Sequence, residues 1–364
     1  MSQRPPAKLG QRLEEVDTPA LVIDLAAFER NLETLNRAVG GRVRVRPHAK
    51  THKCPEIARR QLAAGAVGVC CQKVSEAEAL VEGGVRDVLV TNEIVGAPKL
   101  RRLAELAQHT RLGVCVDDAD NVRALAASGA RLDVYLELEV GMRRCGVAPG
   151  APALALARAV AQAPGLRFAG LHAYHGRAQH VRSLAERGTA IARAAEAVRA
   201  TRALLAQNGI DCPIVTGAGS GTFMLEVQAG AWDEIQPGSY VFMDADYARN
   251  EWAAPLPRFE HALFVLTGVM SRPSPAVAIV DAGLKASSVD SGMPAVWNRP
   301  GLEYTHASDE HGWIEGASLP PLGEKLLLVP GHCDPTVNLY DWYVGVRDGV
   351  VEALWPITAR GAVY

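Results

Sequence analysis

Between residues 43 and 236, short apolar runs suited to buried parallel strands alternate with stretches of helical period. The runs are Val43–Arg46, Val67–Cys71, Asp87–Thr91, Arg111–Val116, Leu132–Glu139, Phe168–Ala173, Pro213–Thr216 and Asp233–Gln236. Among the intervening stretches, Ser75–Glu82, Ala97–Gln108, Ala151–Ala163 and Val181–Gln207 repeat apolar residues about every 3.6 positions. A strand buried on both faces needs helices to cover it, so this alternation predicts an α/β fold, a (β/α)8 barrel. An open doubly wound sheet is disfavoured, because no G-x-G-x-x-G turn follows the first strand. Upstream, Ala20–Asp24 reads as a further short strand, followed by a helix over Leu25–Val39 with Gly40-Gly41 as its stop.

The pattern changes near Asp244. Tyr247–Pro257 is polar, aromatic and proline-containing, and reads as a connection. Beyond it lie strand-like runs at Ala262–Met270, Ala276–Asp281, Lys325–Val329, Leu339–Val346 and Val350–Trp355, with Asp348-Gly349 as a hairpin signal between the last two. The expected organisation is a barrel over residues 21–257, with residues 1–20 and 258–364 forming a mainly β domain. At 364 residues the chain is long enough for two such units.

The charges balance, 38 basic against 40 acidic residues, which argues against nucleic acid or an anionic membrane as the partner. No apolar run is long enough to span a bilayer, and the start lacks the apolar core of a secretory signal, so a cytoplasmic location is expected. The seven cysteines form no C-x-x-C pair and read as small buried apolar residues, not as a disulfide or zinc framework.

In such a barrel, chemistry collects where strands end. The residues following the runs are Arg46-Pro47-His48-Ala49-Lys50-Thr51-His52-Lys53, then Gln72-Lys73, Asn92, Gly141 to Gly146, His172 to Gly176 and Thr216 to Thr222. Only seven of the basic residues are lysines. Lys50 is the leading nucleophile candidate, because burial after an apolar strand would lower its amine pKa and favour a Schiff base. Lys53 and Lys73 are alternatives, while Lys8, Lys99 and Lys325 read as surface residues. Gly217 to Thr222 is rich in glycine and hydroxyls and opens a predicted helix, the kind of turn that presents N–H groups to a phosphate; no Gly-Lys-Ser/Thr follows, so it is not a Walker A loop. An amine and a phosphate cradle at two strand ends together suggest pyridoxal 5′-phosphate, PLP. In the β domain, His332 and Asp334 flank Cys333; in an extended segment both would face one ion, and an imidazole with a carboxylate suits a divalent cation such as Mn²⁺.

These motifs carry a resemblance. R-P-H-A-K-T-H-K at 46–53, D-T-P-A-L-V-I-D at 17–24, A-Y-H-G at 173–176, P-G-S-Y at 237–240, D-E-H-G at 309–312 and P-G-H-C-D-P-T at 330–336 resemble the D-threonine aldolase/D-serine dehydratase family. Its members are fold-type III PLP enzymes built like alanine racemase. The resemblance runs from about Asp17 to Ala362. It implies that Lys50 carries the cofactor as a Schiff base, and that Gly219, Ser220, Gly221 and Thr222 hold its phosphate. By the same resemblance Arg144 bonds the phenolic oxygen, and Tyr240, with Gln236 as its rival, faces the pyridine nitrogen. Tyr174 and Gln72 would line the cleft, and His332 and Asp334 would ligate the metal. The dehydratase branch resembles H-x-C and the aldolase branch H-x-D, with Mn²⁺, Mg²⁺ or a similar hard ion. Asp334 therefore implies a PLP- and metal-dependent aldolase that splits D-β-hydroxy-α-amino acids into glycine and an aldehyde.

The alternatives are a D-serine or 3-hydroxyaspartate dehydratase, a PLP carrier without turnover, and a PLP-free metal hydrolase. Arg177, beyond the A-Y-H-G run, is the candidate to pair with a second substrate carboxylate, as in 3-hydroxyaspartate. Asp309, Glu310 and His311 are further substrate-site candidates, reaching their own or a partner's cleft in an expected homodimer.

Overall fold

A computed structural model describes residues 4–253 and 256–364 of the chain. Strand β1 (Ala20–Asp24) leads into α1 (Leu25–Val39), where the Asp24 carboxylate caps the N–H of Ala27 and Gly40, at φ 57°, closes the helix. All eight predicted barrel runs form parallel strands: β2 (Arg44–Val45), β3 (Val69–Cys71), β4 (Asp87–Glu93), β5 (Arg111–Val116), β6 (Leu132–Glu137), β7 (Leu166–Ala173), β8 (Ile214–Gly217) and β9 (Glu234–Ile235). They order as β2-β9-β8-β7-β6-β5-β4-β3, and a lone parallel bridge between His48 and Cys70 joins the two ends. The barrel is closed. Helices α2 (Pro55–Ala63), α3 (Val74–Glu82), α4 (Ala97–Leu106), α5 (Ala119–Ala127), α6 (Ala151–Gln162), α7 (Leu184–Gln207) and α8 (Phe223–Ala229) surround it. Val88, Val114, Val134 and Val215 of the strands share one apolar cluster with Leu80, Leu103, Leu125 and Val160 of the helices. Cys70, Leu89, Cys115, Tyr135 and Ala169 fill the interior. The seven cysteines are free and all but Cys145 are buried, as their composition suggested.

One residue of the expected strand-end cluster leaves it. Arg46 turns to the N-terminal end of the barrel, where it bonds Glu234 Oε1 at 2.9 Å and Asp87 Oδ1 at 2.5 Å. Its side chain is almost wholly buried, and two carboxylates compensate the guanidinium that burial would otherwise penalise. It serves the barrel's stability, not its chemistry.

After α9 (Ala245–Ala248), the predicted connection runs on; Ala254 and Pro255 within it lie outside the described residues. The β domain holds β10 (Leu263–Ser274), β11 (Val277–Val280), β12 (Ala295–Val296), β13 (Leu302–Ala307), β14 (Gly312–Gly316), β15 (Lys325–Val329), β16 (Trp342–Arg347) and β17 (Val350–Pro356). Asp348 and Gly349 both take positive φ, the hairpin turn their identities predict. The sheet path is β13-β14-β11-β10-β1-β16-β17, with β15 also on β10 and β12 on β15.

Strand β1 therefore corrects the expected boundary at residue 21. It pairs antiparallel with β10 and parallel with β16, so the β domain takes in residues 20–24. Its two faces feed different cores, Leu21 and Ile23 one and Ala20 and Val22 the other, which is why all of ALVI is apolar. No helix among the described residues is long and apolar enough to cross a membrane.

Candidate active site

A cleft of about 490 Å³ opens at the C-terminal end of the barrel strands. Its wall takes His48, Lys50 and Thr51 after β2, Gln72 after β3, Arg144 after β6, and Tyr174, Arg177 and His180 after β7. Ala218, Gly219 and Ser220 after β8 and Gln236 after β9 complete it.

Lys50 sits in a 3₁₀ turn, Ala49–Thr51, whose preceding residue His48 accepts the Lys50 N–H on Nδ1 at 3.3 Å and places Nε2 2.9 Å from Thr91 Oγ1. The Lys50 Nζ donates to Asp334 Oδ2 at 2.6 Å, across the two domains. Burial pulls the amine pKa down, but the Asp334 carboxylate outweighs it, and the net shift is upward. The expectation of a lowered amine fails here because it counted burial without the carboxylate. Asp334, which burial would raise, is held below the usual carboxylate range by Lys50 and His332.

The metal motif is not extended throughout. His332 is extended (φ −145°, ψ 127°), but α10 (Cys333–Val337) starts directly after it. The turn still brings His332 Nε2 to 3.9 Å from Asp334 Oδ1. One ion about 2.0–2.2 Å from each of two ligand atoms can span up to roughly 4 Å, so the pair is within reach of a shared cation. Asp334 Oδ1 is buried and has no hydrogen-bond partner, and His332 Nδ1 is 2.9 Å from Asp290 Oδ2, the outer partner that keeps Nε2 free for a cation. One imidazole and one carboxylate fit a divalent cation. Cys333 is fully buried and turned towards the carbonyl of Met243, so no thiolate faces the site.

Comparison with known proteins identifies the family of this fold. Residues 23–246 match the family described as alanine racemase, N-terminal domain, and residues 262–346 that described as putative serine dehydratase domain. The chain is 50% identical to a D-threonine aldolase of Arthrobacter sp., over 98% of this chain and 96% of the relative. The chain belongs to the D-threonine aldolase family. It is also 45% identical to a 3-hydroxy-D-aspartate aldolase of Paracoccus denitrificans (strain Pd 1222), over 99% of this chain and 96% of that one. The crystal structure of D-threonine aldolase from Filomicrobium marinum is 54% identical, covers 99% of this chain and 100% of its own, and superposes with a TM-score of 0.97.

In this member of the D-threonine aldolase family, the loop after β8 offers the cleft fewer residues than the four expected there. Gly219 and Ser220 line the cleft. A Cβ on Gly219 would stand 2.5 Å from Gln179 Oε1, so the close approach demands glycine. Gly221 and Thr222 turn inward: the Gly221 N–H donates to Gln179 Oε1 at 2.9 Å, and Thr222 Oγ1 accepts from Gln179 Nε2 and donates to Glu226, both at 2.7 Å. Helix α8 has only seven residues. What the loop presents to the cleft is therefore local, the Gly219–Ser220 backbone and hydroxyl.

Tyr240 is corrected too. Its ring is buried against Phe259 at 5.7 Å between centroids, and its hydroxyl accepts from Gln61 at 3.2 Å, outside the cleft. The rival, Gln236, lines the cleft instead. Gln72, Arg144, Tyr174 and Arg177 all face it as expected, with the Arg144 guanidinium 5.9 Å from the Tyr174 ring. Asp309, Glu310 and His311 lie at the β13–β14 turn, where Glu310 pairs with Lys285, and do not line their own chain's cleft.

Sequence reasoning placed His172 at a strand end without giving it a role, and it missed His180 and Asp290. His180 ends a 3₁₀ turn, Gly176–His180, and its Nδ1 lies 2.5 Å from Asp246 Oδ2, so Nε2 is the free nitrogen of a cleft histidine. The signal was present, a histidine five residues past A-Y-H, but the helix was expected to begin at Val181. Asp290 sits in an irregular loop with no motif around it.

Proposed function

We propose that the chain cleaves D-β-hydroxy-α-amino acids, of the D-threonine or D-3-hydroxyaspartate type, into glycine and an aldehyde. It does so with PLP on Lys50 and a divalent cation, Mn²⁺ favoured, on His332 and Asp334. The observation that carries this is the contact of the one cleft lysine with a carboxylate whose other, unpartnered oxygen faces an imidazole. PLP supplies the sink for the electron pair left on Cα when Cα–Cβ breaks, and the cation lowers the pKa of a hydroxyl bound to it.

The chain's own groups do the rest. Gly219 and Ser220 anchor the phosphate end, while Arg144, Tyr174 and Gln236 frame the ring. His180, which lines the cleft with Asp246 behind its Nδ1, takes the β-hydroxyl proton in this reading, so that the C–O bond becomes a carbonyl as Cα–Cβ parts. A proton returned to Cα completes glycine. With the Cys333 thiol turned into the core, the thiolate site of the dehydratase branch has no counterpart here.

Incubated with D-threonine and PLP, the protein yields glycine and acetaldehyde in equal amounts, and EDTA abolishes both. Formation of 2-oxobutyrate and ammonium would make it a dehydratase instead.

Arg177 lines the cleft and has no carboxylate partner among the described residues. Pairing with a substrate β-carboxylate is worth about 1.5–3 kcal/mol, roughly ten- to a hundredfold in kcat/KM. Arg177→Ala should lose that factor on D-3-hydroxyaspartate and less than threefold on D-threonine. Equal loss on both substrates would assign the residue to the scaffold. A homodimer in the cytoplasm, with the Asp309–His311 turn set against the partner's cleft, completes the proposal.

A further inference from the structure

The aldolase reading leaves unused a group of acids in the barrel wall: the buried Glu137 at the end of β6, with the half-buried Glu93 at the end of β4 and Asp117 after β5. We propose that Glu137 is a positioning residue, whose two carboxylate oxygens hold Arg144 and His172 and thereby fix the polar frame around the coenzyme ring. This rests on the reading that PLP occupies the cleft.

The geometry is two-sided. Glu137 Oε1 is 3.5 Å from Arg144 Nη2, and Oε2 is 3.3 Å from His172 Nδ1. The Glu137 and His172 side chains are only 5% and 2% accessible. Oε2 and Nδ1 are both buried without a hydrogen-bond partner among the described residues, and they face each other. Arg144 and His172 both line the cleft, and Glu137 itself does not.

Neither dependent group is held as well by anything else. The Arg144 side chain is 41% accessible and otherwise meets only the face of Tyr174. His172 is fixed on its far side by a relay. Thr216 donates to Glu234 Oε1 at 2.9 Å, so its oxygen must accept from Gln236 Nε2, at 2.7 Å. That fixes the Gln236 carbonyl towards His172 Nε2, at 3.2 Å. The imidazole thus lies between an amide oxygen and a carboxylate. Without Glu137 its orientation, and that of Gln236, is set from one side only.

Charge supports this assignment. Burial, then Glu137 and Asp117, push Glu93 up to about 7, whereas His172 and Arg144 hold Glu137 below its ordinary value against burial. Two adjacent carboxyls whose surroundings drive them apart leave the negative charge on Glu137. Cys115, Glu137 and His172 also come close enough to share an ion. The Cys115 thiol, however, is sealed in the apolar barrel interior, and burial pushes it well up, away from a thiolate.

The test compares wild-type holoenzyme with Glu137→Gln and Glu137→Asp. It reads bound PLP, melting temperature, the absorption and circular dichroism of the bound coenzyme, and KM and kcat on D-threonine. A displacement of about 1 Å at reacting groups costs around a hundredfold. Glu137→Gln, which keeps the volume, should bind PLP at one per chain, shift the coenzyme spectrum and lose roughly a hundredfold in kcat with KM changed less than threefold. Glu137→Asp, which keeps the charge, should recover at least a tenth of wild-type kcat. An unchanged spectrum with kcat retained, or losses that follow only the melting temperature, would overturn the positioning role. Wild type without PLP would instead overturn the reading on which it rests.

Discussion

Lys50→Ala folds, fails to retain the visible Schiff-base band of PLP, and loses activity by at least about 10⁴-fold, the scale on which removing a covalent nucleophile acts. The reason is that no other amine among the described residues lines the cleft. Lys53 is buried on Glu76 at 2.6 Å, and Lys73 is absent from the cleft wall. Stability should change little. The Lys50 side chain is 39% accessible, so solvent screens its pair with Asp334 and the ion pair contributes modestly. Borohydride reduction of wild type followed by peptide mapping should find the adduct at Lys50 alone. A coloured Lys50→Ala protein with the adduct at Lys53 or Lys73 would refute the assignment.

Asp334→Ala keeps PLP and loses cleavage by roughly 10²–10³-fold, the range for removing one group that stabilises developing charge. What activity remains should no longer respond to EDTA. The same substitution has a second, signed consequence. In the native chain the Asp334 carboxylate outweighs burial and raises the Lys50 amine. With the carboxylate gone, the largest upward influence on the amine is lost and its pKa falls. Only the neutral amine attacks an aldehyde, so PLP reconstitution of Asp334→Ala should proceed at lower pH than that of wild type. A reconstitution profile unmoved, or moved upward, would show that Asp334 does not govern the lysine. His332→Ala should match the loss of cleavage without the downward shift, because His332 does not touch Lys50.

The two groups behind these predictions were readable before any coordinates, and for local reasons. Lys50 follows a strand within four residues of its end, and His332 and Asp334 are two residues apart, so chain connectivity alone keeps each near its place. The conformation around them was less legible. The 332–334 segment was expected to be extended and instead turns into a helix after His332, and the two ligands still converge because they are so close in sequence.

Residues whose role depends on a distant partner were lost. Arg46 looks like a strand-end site residue until Glu234 and Asp87 are seen beneath it. Tyr240 lies one residue beyond the cleft-lining Gly238 and Ser239, and its ring turns to Phe259 and Gln61. Glu137 and His172 read as parts of two unrelated strands, and only the parallel pairing of β6 with β7, which places them opposite each other, makes them neighbours.

Periodicity and composition by themselves determined the alternation of eight strands with helices and the presence of a second β domain, and offered Lys50, His332 and Asp334 as candidates that the family resemblance then singled out, because these depend on patterns shorter than about a dozen residues. Only the tertiary structure decided that β1 joins the far domain's sheet, that Lys50 meets Asp334 across 284 positions of chain, and that His180 and Asp290 belong to the site. A residue's burial and charge are set by what packs against it, and for these residues that partner comes from a remote part of the chain.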